Sequence, residues 1–484
     1  MKHVHFVGVS GTGMGALATL FRARGVRVTG SDTAFDPPIG PALEAAGVEC
    51  LRGWDPSRLE AVSGPAASPR WPDLVVVGNA IRRDNPEAVF VEQRDLPRSS
   101  MSAALREHFL RGRRAVVVCG THGKTTTSSL VAWLLLAADL APGYFIGGIP
   151  RGLGAGAAIG RAERSLTKGV APFVVEGDEY DAVYWHKQPK FYDYVGVSEN
   201  DVAIVTSIEH DHIDIYPTES AYEDAFVGLF ERVPAGGLVV VDVQATRALE
   251  LAKKHARARV VTYGLDPSAE WSAAVARDGT ATSFDLFAGG SACGRFSSPL
   301  PGEHNVRNAL AAIAVAAEAF GVAPSQSRTA LASFEGVKRR QELLGAPGGV
   351  SVYDDFAHHP TAVDETLRAL RLRHPTGTLF AIFEPRSATA CRNVHQAAYV
   401  HAFDAADRVL LAPLGRTNVP EAERLDLSRL AREIGPRAGA YESVDAIVSE
   451  IVQNARSGDV VAVLSNGAFG GIHGKLVEAL SSKR

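Results

Sequence analysis

The sequence predicts an α/β protein of three domains: a Rossmann-like N-terminal domain, a central P-loop-type ATPase domain and a C-terminal Rossmann-like domain. Two glycine-rich turns, at residues 8–15 and 120–127, each follow an apolar strand and precede a helical segment. Strand and helix patterns alternate along most of the chain, which is typical of parallel sheets covered by helices. A chain of 484 residues is also too long for one core. We place the domains at residues 1–110, 111–328 and 329–484.

The first domain is predicted to begin as a nucleotide-binding βαβ unit. Its expected elements are strand 3–7, helix 16–24, strand 26–29, and strand 74–77 with a loop at 78–81. The turn reads Gly11-x-Gly13-x-x-Ala16, and Asp32 follows the second strand. Glycines let a backbone approach a pyrophosphate, and an acidic residue here can bind a ribose. The turn alone would suit NAD, a flavin, a nucleotide-sugar diphosphate, or no ligand.

The second glycine turn, Gly120-Thr-His-Gly-Lys-Thr-Thr-Thr127, predicts an ATP site. It lies between a strand at 115–119 and a helix at 128–136. Loop amides and a helix N-terminus can hold phosphates, Lys124 can neutralise their charge, and the Thr125 hydroxyl can bind Mg²⁺. The loop is shorter than the usual form, because only two residues separate its glycines. The alternative is a turn that merely links strand to helix.

Two acidic and histidine clusters follow later strands of the central domain. Glu176-Gly-Asp-Glu-Tyr-Asp181 comes after a strand at 173–175, and Glu209-His-Asp-His212 comes after one at 202–206. Mg²⁺ prefers oxygen ligands, so we pair Glu176 with the Thr125 hydroxyl as its first site. The alternative is a solvated acidic loop.

The rest of the chain continues the alternation. Expected elements are strand 237–241, short strands within 258–300, helix 306–320, strand 350–353, helix 360–372, and strands 379–383, 408–411 and 459–464.

Composition favours an intracellular enzyme that acts on small molecules. The 50 Lys and Arg residues against 54 Asp and Glu leave no basic excess for nucleic acid. The four cysteines form no Cys-x-x-Cys pair, which indicates reduced thiols rather than a disulfide framework or zinc site. The N-terminus lacks a signal peptide pattern, and no apolar stretch is long enough to span a bilayer. We therefore expect a cytoplasmic protein without membrane insertion, and favour a monomer.

Six motifs in this order resemble those of the Mur ligases of peptidoglycan synthesis, and the resemblance covers essentially the whole chain. They are Gly120–Thr127, Glu176–Tyr180, Asp211-His212, Gly302-Glu-His-Asn305 with Asn308, Phe334–Arg340 and Asp354–Pro360. Within the family, Gly78-Asn-Ala80, Glu384-Pro-Arg-Ser387 and Ser465–His473 are similar to the branch that attaches an intact murein tripeptide during cell-wall recycling. The L-alanine-adding branch is the nearest alternative. An NAD(P)-dependent oxidoreductase and a non-catalytic nucleotide sensor are the remaining ones.

The resemblance implies an N-terminal domain that binds UDP-N-acetylmuramate (UDP-MurNAc), a central ATPase, and a C-terminal domain that closes over ATP and brings the amine. The muramyl carboxylate would attack the γ-phosphorus, and the amine of the tripeptide's L-Ala would then displace phosphate from the acyl phosphate. Phosphorylation is needed because a free carboxylate is a poor electrophile.

The resemblance also assigns residues to roles. The implied catalytic residues are Lys124, Glu176, His212, Arg339 and His358, with Thr125, Glu176 and His212 as Mg²⁺ ligands. The implied ATP contacts are Gly120, Thr121, His122, Gly123, Lys124, Thr125, Thr126, Asn305, Asn308, Arg340 and Asp354. The implied UDP-sugar contacts are Ser10, Gly11, Thr12, Gly13, Met14, Asp32 and Asn79, and the tripeptide contacts are Arg386 and Ser387.

Some roles stay open. Either Arg339 or Arg340 resembles the family's domain-crossing arginine. His358 and His359 could orient the amine or cap the helix at Pro360. Arg386 could grip a tripeptide carboxylate or be a surface arginine.

The sequence departs from family patterns at two places. Some sister ligases carry a carbamylated lysine after the Asp-His motif, but Ala221–Phe226 contains no lysine, so we predict no such modification. The segment Ser387-Ala-Thr-Ala-Cys391 lacks the Asn expected after the serine of the tripeptide branch. The third peptide residue, diaminopimelate or lysine, is inferred from the family only.

Overall fold

The computed structural model describes residues 1–60, 71–161, 170–276, 282–416 and 418–482. Among these residues the chain forms three large sheets in succession, of five, ten and six strands. Each is mainly parallel and carries helices, which confirms the predicted α/β class. No described helix is both long and apolar enough to cross a bilayer.

The first sheet is fully parallel, with strand order β3-β2-β1-β4-β5. Its strands are β1 His3–Val7, β2 Arg27–Asp32, β3 Glu49–Arg52, β4 Leu74–Val77 and β5 Arg98–Ser100. Its helices are α1 Thr12–Ala23, α2 Ile39–Ala45, α3 Ser57–Glu60, α4 Pro86–Gln93 and α5 Met101–Leu105, the last continued by a π-helical turn at Arg106–Leu110. Strands 3–7 and 74–77 were predicted correctly. Helix α1 begins four residues before the predicted Ala16, because the glycine turn itself enters the helix.

The second sheet has the order β17-β16-β15-β14-β13-β12-β6-β9-β7-β8. Its strands are β6 Arg114–Cys119, β7 Gly143–Phe145, β8 Ala157–Ala158, β9 Pro172–Glu176, β12 Val202–Val205, β13 Leu238–Asp242, β14 Arg259–Gly264, β15 Trp271–Ala276, β16 Thr282–Ala288 and β17 Ser291–Ser298. Strands β10 Asp181–Val183 and β11 His186–Pro189 form a separate hairpin. Its helices are α6 Lys124–Ala137, α7 Glu219–Arg232, α8 Thr246–His255, α9 Glu303–Phe320 and α10 Pro324–Ala332.

Strand β6 shows why this sheet is buried on both faces. Its residues alternate between two cores: Val117 packs with α7 and α8, and Val116 packs with α6 and α9. Every residue of the strand is apolar after Arg114, as expected for a central parallel strand. The first core also contains side chains of the N-terminal sheet, so it is continuous across the first two units.

The third sheet has the order β18-β19-β23-β20-β21-β22, with β18 antiparallel at one edge. Its strands are β18 Glu342–Gly345, β19 Ser351–Asp355, β20 Leu379–Phe383, β21 Arg408–Leu411, β22 Ala438–Ala440 and β23 Val460–Leu464. Its helices are α11 Pro360–Arg373, α12 Gln396–Ala402, α13 Leu427–Ile434, α14 Val444–Asn454 and α15 Ile472–Ser481. Helices α11 to α13 cover one face, and α14 and α15 cover the other. The motif residues gather at the carboxyl ends of the strands, where open parallel sheets bind ligands.

Candidate functional site

The second glycine turn forms a tight loop between β6 and α6. Gly120 and Gly123 have φ angles of 119° and 77°, which disfavour any side chain. A Cβ on Gly123 would lie 2.5 Å from Asn308 Oδ1, and one on Gly120 would lie 2.3 Å from Thr206 Oγ1. The Thr121 amide donates to the Ser207 carbonyl at 3.0 Å. The loop is therefore anchored to its neighbours, with its helix N-terminus available to an anion.

Lys124 lies at the start of α6 and is held by a buried carboxylate. Its Nζ donates to Glu179 Oε1 at 2.9 Å and Oε2 at 3.0 Å, and to the Gly120 carbonyl at 2.6 Å. Burial opposes the charge on Lys124, but Glu179 outweighs it and raises the pKa of Lys124. Glu179 could not be singled out from the sequence, because its cluster offers four acidic residues and the loop decides which one turns inward.

Thr125 and Glu176 lie together, as predicted. Thr125 Oγ1 donates to Glu176 Oε1 at 2.9 Å, and the Gly147 amide donates to Glu176 Oε2 at 2.7 Å. A hydroxyl and a carboxylate beside a phosphate-binding loop are suitable donors for Mg²⁺, which takes oxygen ligands and keeps several waters. The residues present therefore fit this ion.

Arg340 reaches this pair from the segment before the third sheet. Its Nη2 donates to Thr125 Oγ1 at 2.9 Å. Arg339 turns away: its Nε donates to Asp354 at 3.2 Å, and its Nη2 donates to the carbonyls of Ser465 and Gly467 at 2.8 Å. Of the two arginines that the sequence offered, Arg340 is the one that meets the ATP loop.

His212 lies in the loop after β12 with a left-handed backbone, at φ 53°. Its Nε2 is 3.7 Å from Glu179 Oε2, and its ring packs against Tyr180 with centroids 4.4 Å apart. Burial opposes ionisation of the neighbouring Asp211, but His212 and His358 hold its pKa well below the usual range. His212 thus joins the Lys124–Glu179 pair, while Glu176 lies beside Thr125.

A cavity of about 220 Å³ opens between this loop and the third unit. Predicted ATP contacts that line it are His122, Gly123, Thr126, Asn305, Asn308 and Arg340. Asn308 Oδ1 accepts from Thr127 at 3.1 Å, and Asn308 Nδ2 donates to Asn305 Oδ1 at 3.2 Å. The cavity has the place and polarity expected of a nucleotide site.

Asp355, rather than the predicted Asp354, lines this cavity. Neighbouring residues of a strand point to opposite faces, so only one of the two can face the nucleotide. Asp354 instead lies between Arg339 and His473, whose Nε2 is 3.1 Å from Asp354 Oδ1. The sequence could not choose between the two aspartates, because the face depends on strand register.

The two histidines before α11 have different surroundings. His358 Nε2 is 3.9 Å from Asp211 Oδ2, which brings it to the His212 loop. His359 is the residue that precedes α11, but its side chain makes no capping hydrogen bond. The capping expectation is therefore wrong for His359, whose ring instead lies against His122 with centroids 4.6 Å apart.

The N-terminal glycine turn is closed by Asp32. Asp32 Oδ2 accepts from the Ser10 amide at 2.9 Å, and its Oδ1 accepts from the Thr33 amide at 2.7 Å. Ser10 Oγ donates to the Ala34 carbonyl at 2.6 Å. Both side chains and the Ser10 amide already serve the turn, which leaves the amides of residues 12–14 at the start of α1 as the natural ligand contacts.

Asn79 lies in an open pocket between the first unit and the β10–β11 hairpin. Arg82, Arg83 and Lys187 line the same pocket together with Asp84 and Asp181, so the cations exceed the carboxylates by one. The two arginines directly follow the loop that the sequence had indicated, so their charge was the signal that could have added them to the predicted UDP-sugar contacts.

Arg386 lies in the loop after β20 and packs across two glycines. A Cβ on Gly467 would lie 2.1 Å from Arg386 Cδ, and one on Gly415 would lie 2.8 Å from its Cγ. Its side chain is 43% exposed, and Arg416 Nε donates to its carbonyl at 3.0 Å. Arg416 therefore contacts the backbone of Arg386, and Arg386 Nη1 lies 3.7 Å from Glu384 Oε1. Ser387 Oγ accepts from the Ala390 amide at 2.9 Å, so it holds the loop.

This loop also meets the central unit. The Ile213 amide, next to His212, lies 3.4 Å from Thr389 Oγ1 and donates to it. Arg386 therefore belongs to a loop that contacts the loop of His212.

Three family models match the chain in sequence. They are described as Mur ligase family, catalytic domain, at residues 3–113; Mur ligase middle domain, at 118–316; and Mur ligase, glutamate ligase domain, at 339–467.

Individual relatives match over almost the whole length. The UDP-N-acetylmuramate–L-alanyl-γ-D-glutamyl-meso-2,6-diaminoheptandioate ligase of Haemophilus influenzae is 36% identical, with both chains covered completely. The UDP-N-acetylmuramate–L-alanine ligase of an Arthrobacter species is 37% identical, over 95% of this chain and 91% of that one. The crystal structure of a murein peptide ligase from Psychrobacter arcticus superposes with a TM-score of 0.72 at 32% identity, over 100% of this chain and 99% of that one. By these matches, and by the site that its three sheets assemble, the chain belongs to the Mur ligase family.

Proposed function

We propose that this protein is an ATP-dependent ligase that joins the tripeptide L-Ala-γ-D-Glu-meso-diaminopimelate to UDP-MurNAc in peptidoglycan recycling. The observation that carries the amine assignment is the position of Arg386, whose loop contacts the His212 loop through Thr389. The tripeptide brings several carboxylates to this edge, whereas L-Ala brings one. Planar guanidinium groups match carboxylates by bidentate hydrogen bonds. The whole-length likeness to the Haemophilus ligase agrees with this choice.

The three predicted domains divide the work. Residues 1–110 would bind UDP-MurNAc, with the amides of residues 12–14 on the diphosphate and the pocket at Asn79 beside it. Residues 111–328 would bind ATP, and residues 329–484 would bring the tripeptide. The order of the three sheets supports these boundaries. We expect a monomer in the cytoplasm. The four unpaired cysteines agree with the cytoplasmic location.

Catalysis of the first step is mainly a matter of charge and position. The muramyl carboxylate attacks the γ-phosphorus of ATP, ADP leaves, and an acyl phosphate forms. Lys124 and Arg340 neutralise charge on the transferring group. Glu179 accepts two hydrogen bonds from Lys124, so a phosphate oxygen bound here would compete with that carboxylate for the ammonium. Thr125 and Glu176 would hold Mg²⁺, with His212 proposed for a second ion; Mg²⁺ supplies further neutralisation of the phosphates.

The second step needs an oriented amine. The tripeptide amine attacks the acyl carbon, a tetrahedral intermediate forms, and phosphate leaves. His358 Nε2 is 3.9 Å from Asp211 Oδ2, next to His212, where it would orient the amine. The carboxylates of the peptide, held by Arg386, fix its distance from the acyl carbon.

The proposal is tested by phosphate release from ATP, Mg²⁺ and UDP-MurNAc with either L-Ala or the tripeptide. We expect turnover that requires the tripeptide. Turnover with L-Ala alone would move the protein to the biosynthetic branch. Carboxylate-labelled UDP-MurNAc with ¹⁸O tests the acyl phosphate separately, since one label must appear in the released phosphate.

The site favours an ATP-dependent ligase over the oxidoreductase, and turnover distinguishes the ligase from the nucleotide sensor. A nicotinamide-dependent oxidoreductase has no use for the buried Lys124–Glu179 pair, and a nucleotide sensor would not need both acceptor and amine for turnover.

A further inference from the structure

His122, Glu209 and His359 face one another at the border between the ATP loop and the third unit. We name them the interdomain histidine site. One nitrogen or oxygen of each residue lies within 4.8 Å of the corresponding atoms of the other two. His122 comes from the loop before α6, Glu209 from the loop after β12, and His359 from the residue before α11. Three separate segments thus supply one group of ligand-type side chains.

The spacing within the site suits a shared ion better than direct hydrogen bonds. His122 Nε2 is 3.4 Å from Glu209 Oε2, and His359 Nδ1 is 3.6 Å from the same oxygen. Nitrogen-to-oxygen hydrogen bonds are usually about 2.7–3.2 Å long. Ligands around a tetrahedral Zn²⁺, with bonds of about 2.0–2.2 Å, lie roughly 3.3–3.6 Å apart. The observed distances are close to that edge length.

The nitrogens of the site also lack partners. His359 is 8% exposed in its side chain, and neither of its ring nitrogens has a hydrogen bond. His122 Nε2 is likewise buried and makes no hydrogen bond, with Glu209 Oε2 3.4 Å away. Leaving a buried polar nitrogen unpaired costs free energy, so each such group needs an explanation. Burial lowers the pKa of His359, which keeps the imidazole in the neutral form that binds metals.

The residues around the site are compatible with metal binding by these three side chains. Thr361 Oγ1 donates to Glu209 Oε2 at 2.6 Å, as a second-layer hydrogen bond to a ligating carboxylate would. The His395 ring packs edge-on against His359. His122, Glu209 and Thr361 border the nucleotide cavity, so a fourth coordination position would open toward it.

We propose that the interdomain histidine site binds one divalent transition-metal ion of the Zn²⁺ class through His122, Glu209 and His359. Two imidazole nitrogens and one carboxylate oxygen favour such an ion over Mg²⁺, which prefers oxygen ligands. The site is therefore distinct from the pair Thr125 and Glu176. An ion held there ties the ATP loop to the third unit.

Metal binding by the full-length, chelator-treated protein without nucleotide tests this site directly. Titration with Co²⁺ should give one equivalent with the intense visible bands of four-coordinate cobalt, and Zn²⁺ should displace it. Loss of a second-layer partner already weakens metal binding about 10–100-fold. We therefore expect His122→Gln and His359→Gln each to weaken it by at least about 100-fold.

Two controls separate this site from others. His401→Gln changes an exposed histidine, and Glu176→Gln removes the proposed Mg²⁺ carboxylate; both should bind Co²⁺ like the parent. X-ray absorption of the Zn²⁺-loaded parent protein should show two imidazoles and needs no variant to fold. Binding that survives both histidine variants, binding lost with Glu176→Gln, six-coordinate cobalt, or a zinc spectrum without imidazole would each overturn the proposal.

Discussion

At the scale of single residues, Lys124 carries the greatest share of the proposed chemistry. Its ammonium is buried, positively charged and already positioned by Glu179 and the Gly120 carbonyl. A donor of this kind is preorganised, which makes it effective against charge that develops on a phosphoryl group.

We expect Lys124→Met to lower tripeptide-dependent phosphate release by about 10²–10³-fold. The variant removes the charge and leaves Glu179 buried without its partner, so Lys124→Met combined with Glu179→Gln should regain stability but no activity. The rate of phosphate release measures the activity, and thermal unfolding measures the stability. Activity of the single variant within threefold of the parent would remove Lys124 from the mechanism.

His3 predicts a pH dependence of stability in the first sheet. Burial lowers the pKa of His3 to about 4, and its Nε2 lies 2.9 Å from Thr29 Oγ1. The unfolded chain takes up a proton near pH 6.5, but the folded one does not. The stabilisation is therefore complete above about pH 6.5 and is lost as the pH falls toward about 4.

Between pH 7 and pH 5 the free energy of opening of β1 should fall by about 2 kcal/mol, and this loss should disappear in His3→Gln. Hydrogen exchange of the 3–7 segment measures it, with His401→Gln as control. An equal loss in His3→Gln would assign the effect to other groups.

At the scale of elements, loops at strand ends decide the site. The strands themselves were predictable, because apolar runs such as 379–383 and 408–411 end where turn residues begin. The starts of helices were less predictable from the sequence. Helix α6 begins at Lys124 rather than at the expected Ser128, since the last residues of the loop themselves adopt helical geometry. Whether Asp355 or Asp354 faces the nucleotide cavity depends on the register of strand β19, which the local sequence pattern does not predict.

Gly123 tests the geometry of the ATP loop. Gly123→Ala introduces both a left-handed backbone strain of about 1 kcal/mol and a collision with Asn308. Gly154→Ala is the matched control, because its φ is 79° and no atom lies within 4 Å of the new Cβ. Both should lose some stability, but only Gly123→Ala should lose ATP affinity, measured by calorimetry. Equal ATP affinities in the two variants would show that the close approach is unimportant.

Gly467 tests the position of Arg386. Gly467→Ala must displace the Arg386 side chain, since the new Cβ overlaps its Cδ. We expect the tripeptide KM to rise about 10–100-fold, as it should in Arg386→Ala, with little change in the KM for ATP. Gly474→Ala, where a Cβ meets nothing, is the control. An unchanged tripeptide KM in Arg386→Ala would refute this carboxylate contact.

At the scale of the whole molecule, the third unit is joined to the central one by charged contacts. Arg307 of α9 pairs with Glu365 of α11, and Arg340 reaches Thr125. Family motifs predicted the order of the three units, but only the folded chain shows which arginine crosses between them.

The two neighbouring arginines therefore predict different losses. Arg340→Ala should lower kcat by about 10²-fold or more, because it removes charge from the phosphate site. Arg339→Ala should mainly destabilise the third unit, since its partners are Asp354 and two carbonyls there. Single-turnover rates and thermal unfolding of both variants distinguish these effects, and a larger rate loss in Arg339→Ala would reverse the assignment.

The central claim is that this protein selects the intact tripeptide, rather than L-Ala, as its amine substrate. We would incubate the protein with ATP, Mg²⁺ and UDP-MurNAc in the presence of equal concentrations of L-Ala and L-Ala-γ-D-Glu-meso-diaminopimelate. Mass spectrometry would then identify the products. The account predicts the UDP-MurNAc-tripeptide as the dominant product. A dominant UDP-MurNAc-L-Ala product would contradict it.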